Sequence, residues 1–409
     1  MSKSSILVVS EIFWPEGGGA ERATQLIVEL LAQYGFKVSV VTGTKNPVKI
    51  PGVEYYTTPY LRPSNRVTRW VLVKLLERNH DFLKLLKEHE TLYIPLSAYP
   101  LIPLAKKRGL RVIIHLHNYM PIRYTGVKYY FEPDTLSIFD EIKLAVFHEF
   151  HVNRSFWRTL AFPISYMLYY LSKLWLTRTD RIICVSHRQA ELILKNIPQV
   201  ADKVVVLYNP MPRELLENRP IKDLDEKPTF IYVGGDSFLK GFHIVLKALK
   251  ELGKQGIKAR FVLANNYGIR SLETLKQLSK KYRDLEFQVV GRVKYVKLLE
   301  IYKKAWALLF PSICEEPLPY TVLEAVLLEV LPIASKVGGI VEVLKTIGGE
   351  DFMFEPGDIN GFTSIIKEII ERGSSDVTTT AKRLKNSLLS LYRSYEHAIK
   401  TKLLEVFDL

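Results

Sequence analysis

Residues 311–342, PSICEEPLPYTVLEAVLLEVLPIASKVGGIVE, are the most informative segment of this chain. They follow a short apolar run, residues 305–310, which is typical of a buried strand. Residues 320–329 have helical periodicity, and residues 331–335 are again short, apolar and strand-like. A strand, a helix and a second strand in this order predict a parallel sheet with a crossover helix.

Two carboxylates in this segment lie eight positions apart around the predicted start of the helix. Glu316 falls in a proline-bounded loop, and Glu324 lies inside the helical run. Eight residues at about 100° each leave them roughly 80° out of register, so they need not form a catalytic pair. A helix N-terminus offers N–H groups to an anion, and carboxylates accept hydrogen bonds from neighbouring hydroxyls. A nucleotide sugar has both an anionic diphosphate and neighbouring hydroxyls. The alternative is that the two glutamates bind no ligand, because an isolated glutamate is more often an ordinary surface charge.

The residue pattern of this segment resembles that of a known family. E-P-L-P-Y-T-V-L-E followed by G-G-I-V-E resembles the E-x7-E and G-G-x-x-E signature of retaining GT-B glycosyltransferases of the GT4 type. The resemblance extends over nearly the whole chain, through Gly17-Gly18-Gly19-Ala20-Glu21-Arg22, His117, Val185-Ser186, Asn209 and Lys240-Gly241.

The resemblance implies roles for residues of this segment. The first carboxylate, Glu316, contacts the donor sugar, the second, Glu324, binds the ribose hydroxyls, and backbone amides between them reach the diphosphate. The family usually has Gly where this chain has Pro319, which has no N–H to donate. The donor-binding residues implied are Gly18, Gly19, Gly234, Lys240, Arg292, Glu316, Leu318, Tyr320, Thr321 and Glu324.

The loop of residues 234–241, GGDSFLKG, follows a predicted strand and precedes a helix, where Lys240 can meet a phosphate. The family's usual motif at this position is G-R-x-x-x-x-K-G, in which Arg and Lys both neutralise the leaving diphosphate. Lys240 matches, but Gly235 stands at the Arg position. Either another basic residue substitutes, with Arg292 as the candidate, or stabilisation of the leaving group is weaker.

Residues 17–19 lie between the first strand and a helix predicted over residues 20–34. A third glycine at position 22 would complete a dinucleotide fingerprint, but that residue is Arg22. By resemblance the loop approaches the donor phosphates or the acceptor, and the alternative is a tight structural turn. His117 falls at the carboxyl end of a predicted strand and matches the family's histidine near the donor and acceptor sugars. The catalytic residues implied are His117, Glu316 and Lys240, and the acceptor-binding residues are Gly17, Asn118 and Tyr119.

The resemblance implies no protein nucleophile, no cofactor and no metal. The sequence Asp223-Leu224-Asp225 spells the D-x-D metal motif of the other glycosyltransferase fold, but it lies in a charged joint between domains and is interpreted as a solvated linker.

A chain of 409 residues exceeds the usual single-domain size, so two domains are expected. Short apolar runs alternate with amphipathic helices, which favours two Rossmann-like domains with parallel sheets facing across a cleft. The predicted N-terminal, acceptor-binding domain covers residues 1–208, with a C-terminal helix at about 390–409 packing back on it, and the nucleotide-sugar domain covers 209–389. The strands are predicted at 6–10, 37–42, 91–95, 111–115, 181–185, 204–208, 230–234, 259–264, 285–290, 305–310 and 331–335.

Net charge and composition limit the classes of binding partner. The net charge is +14, yet basic residues are spread along the chain and no nucleic-acid-binding motif accompanies them. An anionic membrane face or a phosphate-bearing acceptor fits better. Aromatic and basic residues crowd into residues 124–178, which favours either membrane docking or core packing. Two cysteines, no secretory segment and no spanning run predict a cytoplasmic protein, peripheral on the membrane.

These observations predict a retaining, metal-independent glycosyltransferase that moves a hexose-type sugar from a UDP- or GDP-linked donor to a glycan or lipid-linked acceptor. The alternative is a catalytically weak, nucleotide-sugar-binding partner subunit of a glycosylation complex. A GT-B epimerase or phosphorylase has less support, because the E-x7-E helix is more specific to the transferases.

Overall fold

The structure is a computed structural model that describes residues 4–62, 66–153, 162–217 and 222–407. The chain forms two compact units, each built on a parallel sheet. The first unit comprises Met1–Lys128, Glu132–Pro212 and Tyr395–Leu409, and the second comprises Tyr129–Phe131 and Arg213–Ser394. The doubly wound α/β class that the alternating pattern predicts is therefore confirmed.

The first unit has a seven-stranded sheet in the order β3-β2-β1-β4-β5-β6-β7. Its strands are β1 Ser5–Ser10, β2 Lys37–Thr42, β3 Val53–Thr57, β4 Thr91–Ile94, β5 Arg111–Leu116, β6 Arg181–Cys184 and β7 Val204–Val206. Its helices are α1 Gly19–Gln33, α2 Arg66–Leu75, α3 His80–Glu88, α4 Ile102–Lys107, α5 Ile138–His148, α6 Phe162–Leu176 and α7 His187–Asn196. Along β1, Leu7 and Val9 join one buried cluster while Ile6 and Val8 join another. Both faces of the sheet are thus covered, which explains why the strands are continuous apolar runs.

The second unit has a six-stranded sheet in the order β10-β9-β8-β11-β12-β13. Its strands are β8 Thr229–Tyr232, β9 Ala259–Ala264, β10 Leu285–Gly291, β11 Ala307–Phe310, β12 Leu331–Ser335 and β13 Met353–Phe354. Its helices are α8 Arg213–Glu217, α9 Phe242–Lys254, α10 Ile269–Lys281, α11 Tyr295–Lys304, α12 Tyr320–Leu327 and α13 Ile340–Thr346. The strand order reverses between β8 and β11, which is the crevice where open α/β sheets bind ligands.

The last helix, α14, runs from Ile359 to Phe407 with a break at Gly373, where φ is 73°. Its final turns belong to the first unit, where Ile399, Leu403 and Phe407 share a buried cluster with β1. The spacing of four residues places these side chains on one helix face. The predicted return of the C-terminal helix to the first domain is confirmed.

The two cysteines, Cys184 and Cys314, are buried free thiols. Burial raises the pKa of the Cys314 thiol to about 12, so it stays protonated and unreactive at neutral pH.

Candidate functional site

Two loops meet at the switch point of the second sheet. One follows β8 and carries Lys240, and the other follows β11 and carries Glu316. Lys240 Nζ lies 2.5 Å from Glu316 Oε1, and the Ser312 hydroxyl donates to the same oxygen at 3.1 Å. The Lys240 side chain is 43% exposed and the Glu316 side chain 14%. The sequence-predicted pair is therefore brought together where a ligand can reach it.

The Glu316 carboxylate stabilises the charged form of Lys240. Burial disfavours the charged Lys240 ammonium, but the neighbouring Glu316 carboxylate outweighs this and raises the pKa of Lys240 above its ordinary value. Lys240 is thus a cation throughout the physiological pH range. An ammonium has three N–H donors, of which Glu316 takes one, so the group can also donate to an anion.

Glycines fix the path of both loops. Gly241 has φ of 78°, and a Cβ there would lie 1.8 Å from the carbonyl oxygen of Pro311. Gly338 has φ of 60°, and its added Cβ would lie 1.8 Å from the carbonyl oxygen of Glu316. The next amide, that of Gly339, donates to the same oxygen at 3.0 Å. The G-G of the G-G-x-x-E pattern therefore holds the backbone at Glu316 by close approach.

Gly235, which stands where the family has Arg, also occupies a restricted position. Its φ is 62°, and a Cβ there would lie 2.7 Å from the Asn266 carbonyl oxygen. The following residue, Asp236, accepts hydrogen bonds from the Gly268 amide at 2.7 Å and from the Ser271 hydroxyl at 2.9 Å. An arginine at position 235 would therefore require the loop to move.

Arg292, the predicted substitute cation, is exposed and follows β10. Since β9 separates β10 from β8, Arg292 starts about 10 Å from the strand that precedes Lys240. It forms no hydrogen bond or ion pair with any residue in the described part of the chain. The contact of Arg292 with the donor stays a prediction. The donor contact of Gly234 also stays a prediction. A Cβ added at Gly234 would lie 2.3 Å from the Tyr232 hydroxyl.

Helix α12 begins beside the Glu316 loop with no side-chain cap. Pro319 is the N-cap residue, so the backbone there has no N–H of its own. Leu318 and Tyr320 are buried, and Thr321 is partly buried. The positive end of an uncapped helix is suited to a diphosphate.

Glu324 points from α12 toward a residue that the sequence did not reveal. The hydroxyl of Tyr295, the first residue of α11, donates to Glu324 Oε1 at 2.9 Å. Glu324 is 9% exposed, so its carboxylate is oriented rather than freely rotating. Tyr295 lies 29 positions away in sequence and belongs to no motif, so only the fold could reveal the contact. Tyr295 is a positioning residue.

The D-x-D sequence has a structural role at its second carboxylate. Asp225 accepts from Arg260 at 2.9 Å and from the Thr229 hydroxyl at 3.0 Å. Within residues 4–62, 66–153, 162–217 and 222–407 no three His, Cys, Asp or Glu side chains are grouped to hold a metal ion. Metal independence itself stays a prediction.

The switch point of the first sheet lies between β1 and β4 and holds a buried pair. Glu11, directly after β1, accepts from the Ser97 hydroxyl at 2.5 Å and from the Ser97 amide at 3.3 Å. Glu11 is 1% exposed, and burial raises the pKa of its carboxyl against the effect of the Ser97 hydrogen bonds.

The glycine loop of the first unit precedes α1, which begins at Gly19. The carboxylate of Glu21 reaches back to accept from the Gly18 amide at 2.7 Å. Gly17 has φ of 89°, and the loop is exposed. An anion at this helix start would have to displace Glu21, so the ligand contacts of Gly17, Gly18 and Gly19 stay predictions.

His117 lies at the carboxyl end of β5 with its ring centroid 4.1 Å from that of His115. Burial lowers the pKa of His117 to about 3, so the imidazole is neutral at physiological pH. Its Nε2 atom is buried and has no hydrogen-bond partner in the described structure, which fits a ligand contact.

Asn118 and Tyr119, the two residues after His117, contact other parts of the protein. The Asn118 side chain accepts from the Met120 amide at 2.9 Å, and Tyr119 is 1% exposed within the hydrophobic core. Acceptor contacts of Asn118 and Tyr119 remain predictions, and a direct contact of Tyr119 would require its ring to leave the core.

Comparison with known proteins gives consistent results for both halves of the chain. A model of the family described as Glycosyltransferase Family 4 matches residues 17–215, and one described as Glycosyl transferases group 1 matches residues 216–386. The chain is 24% identical over 356 residues to the Schizosaccharomyces pombe protein named phosphatidylinositol N-acetylglucosaminyltransferase gpi3 subunit, covering 83% of this chain and 67% of that protein. It is 21% identical over 356 residues to an Arabidopsis thaliana protein that is also named as one subunit of phosphatidylinositol N-acetylglucosaminyltransferase, covering 84% of this chain and 69% of that protein.

Among solved structures, a sucrose-phosphate synthase from Thermosynechococcus elongatus has a TM-score of 0.72 at 16% identity and covers 99% of this chain and 98% of its own. This likeness supports the fold that the two parallel sheets define. The two family matches adjoin and together run from residue 17 to residue 386. The chain therefore belongs to the GT4 type of GT-B glycosyltransferases.

Proposed function

We propose that this glycosyltransferase is retaining and metal-independent, and moves a hexose-type sugar from a UDP- or GDP-linked donor to a glycan or lipid-linked acceptor. One observation carries the proposal. An accessible cation, Lys240, and a carboxylate, Glu316, meet at the switch point of the second sheet beside the uncapped start of α12.

Each of these groups has a part in binding a nucleoside-diphosphate sugar. Lys240 and the first amides of α12 stabilise the diphosphate, whose negative charge grows as it leaves. Glu324, oriented by Tyr295, accepts from the ribose hydroxyls. Glu316 accepts from hydroxyls of the transferred sugar. Because Glu316 and Lys240 pair with each other without a donor, the donor's hydroxyls and phosphates replace that contact.

The reaction forms a bond between the acceptor oxygen and the anomeric carbon on the face that the diphosphate leaves. The bond from that carbon to the diphosphate oxygen breaks, and the proton of the acceptor hydroxyl passes to a phosphate oxygen. No protein nucleophile takes part. The protein contributes positioning and fixed positive charge.

The names of the relatives indicate which substrates to test first. Both are phosphatidylinositol N-acetylglucosaminyltransferases by name. We therefore include N-acetylglucosamine among the donor sugars and phosphatidylinositol among the lipid acceptors. A lipid acceptor also fits a peripheral location on the cytoplasmic face of a membrane, which is part of the proposal.

The test is release of UDP or GDP from a panel of nucleotide sugars, with and without lipid extract, for the wild type and for Glu316→Ala and Glu324→Ala. We expect release from one donor, lost in both variants and unchanged by EDTA. Full and reversible loss with EDTA would contradict metal independence. Retention of configuration is read from the anomeric proton of the product by NMR.

A second candidate function is a weakly catalytic, nucleotide-sugar-binding subunit of a glycosylation complex. Gly235 and Pro319 favour it, because they remove a cation and an amide that the family pattern supplies. Both relatives are also named as subunits. Donor binding that is lost in Glu324→Ala, with no release from any donor or lipid, would favour this function.

A further inference from the structure

Helices α5 and α6 of the first unit pack against each other through their inner faces. Ala145 from α5 and Tyr169 from α6 form a buried cluster with Tyr124. Burial raises the pKa of Tyr169, and the nearby Glu141 carboxyl, which is hydrogen-bonded to it from the inner face of α5, raises it further. Trp175, at the end of α6, lies 5.3 Å from Trp70 between ring centroids and is part of the core packing.

The outer faces of the same two helices are apolar and exposed. Eight large side chains, each between 40% and 73% exposed, form what we call the docking face: Ile138, Phe139, Ile142, Val146, Phe150, Met167, Tyr170 and Leu174. On α6 the spacing 167, 170 and 174 follows one helix stripe opposite the buried Tyr169, Ser172 and Leu176. Phe150 lies in the wide turn Glu149–Asn153 that continues α5. The aromatic segment therefore contains both a core face and an exposed face.

The charges around the docking face are mainly positive. Lys143 on α5 and Arg178 after α6 are exposed, and Lys173 on α6 is partly exposed. Of the three acidic residues between positions 138 and 178, Glu141 and Glu149 are buried, which leaves Asp140 at the surface. Arg154 and Arg158, with Phe156 and Trp157, lie outside the described residues.

We propose that the docking face binds the surface of an anionic lipid bilayer. An apolar stripe flanked by basic residues is suited to the boundary between headgroups and acyl chains, where apolar side chains are buried and cations meet lipid phosphates. Singly exposed apolar side chains are common on soluble proteins, but a concentration of eight on two neighbouring helices is typical of a binding surface. No helix within the described ranges is long and apolar enough to cross a membrane.

This inference deepens the proposed function, because it rests on the proposed lipid-linked acceptor for its role. The docking face would hold the first unit at the bilayer that contains the acceptor. The binding event itself needs neither donor nor turnover, so it is measured separately.

The experiment is co-sedimentation of the full chain with phosphatidylcholine vesicles, with and without phosphatidylserine, at two salt concentrations. We expect binding that requires the anionic lipid and weakens with salt. Phe139→Ser combined with Phe150→Ser should lower the partition coefficient at least about tenfold. Lys143→Glu combined with Lys173→Glu should lower it about fivefold or more for each lysine. The matched control, Ile269→Ser with Val296→Ser, alters two equally exposed apolar residues of the second unit and should bind like wild type.

Thermal unfolding of each variant checks that the exposed substitutions leave the fold intact. Wild-type binding to the vesicles by the phenylalanine double variant, or no binding by the wild type, would overturn the proposal. A concentration-dependent dimer that the same phenylalanine substitutions dissociate would instead assign the face to a second copy of the chain. Vesicle binding without donor binding would leave this inference standing while the proposed function fails, and donor binding without vesicle binding would do the reverse.

Discussion

Each of the two units has a crevice at the switch point of its sheet, and the two crevices differ in how far their polar residues are exposed. At the switch point of the first sheet, Glu11 and Ser97 satisfy each other and are excluded from solvent. At the switch point of the second sheet, Lys240 and Glu316 also pair, but the Lys240 side chain is 43% exposed. A buried pair is part of the scaffold, whereas an accessible cation beside a helix start can exchange its partner for a phosphate.

The comparison teaches that topology locates a crevice without giving it a chemistry. Both sheets reverse their strand order, and both crevices receive a glycine-containing loop. In the first unit the Glu21 carboxylate caps the helix after that loop. In the second unit neither α9, which follows the loop of residues 234–241, nor α12, beside Glu316, has a side-chain cap. We therefore propose the second unit as the one that binds the anion.

The sharpest way to break this comparison is to remove the cation of the second crevice. Lys240→Ala should lower kcat by about 10²- to 10³-fold, because a fixed charge on the leaving group is lost. Lys106→Ala is the matched control, since Lys106 is also partly exposed and pairs with a carboxylate, Asp180, at 2.7 Å in the first unit. Steady-state turnover checks both. Equal losses in the two variants would mean that Lys240 acts only through the fold.

A finer test separates the orientation of Glu324 from its presence. Tyr295→Phe removes the hydroxyl that donates to Glu324 and should weaken donor binding roughly threefold to tenfold. Tyr302→Phe on the same helix is the control, because the Tyr302 hydroxyl is buried without a hydrogen-bond partner in the described structure. Titration calorimetry with the donor nucleotide measures both. Unchanged affinity in Tyr295→Phe would show that the contact orients nothing.

The smallest effect is expected in the first crevice. Burial raises the pKa of Glu11 above 4.5, so its contribution to stability is fully present below pH 4.5 and is lost as the pH rises through the folded-state pKa. Glu11→Gln is neutral at every pH, so the thermal midpoint of the variant should rise relative to that of the wild type as the pH increases above 4.5. The expected change in unfolding free energy is about 1 kcal/mol or less, with donor affinity unchanged. A difference in midpoint that does not vary with pH would contradict the raised pKa.

Much of the fold could be predicted because buried parallel strands are short apolar runs. All eleven predicted strands are present, and three of them, Lys37–Thr42, Ala259–Ala264 and Leu331–Ser335, have the predicted bounds. The predictions missed β3 and β13. Strand β3, Val53–Thr57, is an edge strand with exposed residues, and β13 has only two residues, so neither forms a buried apolar run.

The candidate site could be predicted only where a motif carries it. The placement of Lys240 and Glu316 in loops after recognisable strands follows from the family pattern, whereas their contact with each other needed the structure. Tyr295 could not be predicted, since its contact depends on where α11 begins relative to α12. The docking face was only half visible in sequence, because the core side of α5 and α6 is as apolar and aromatic as the exposed side.

The most direct test of the central claim is calorimetric titration of UDP, GDP and ADP into the wild type and Glu324→Ala. We predict that one nucleotide binds the wild type and that Glu324→Ala weakens it by about ten- to a hundredfold, since two ribose hydrogen bonds to a carboxylate are lost. Equal affinity of the wild type and the variant for every nucleotide would contradict donor binding in the crevice between β8 and β11.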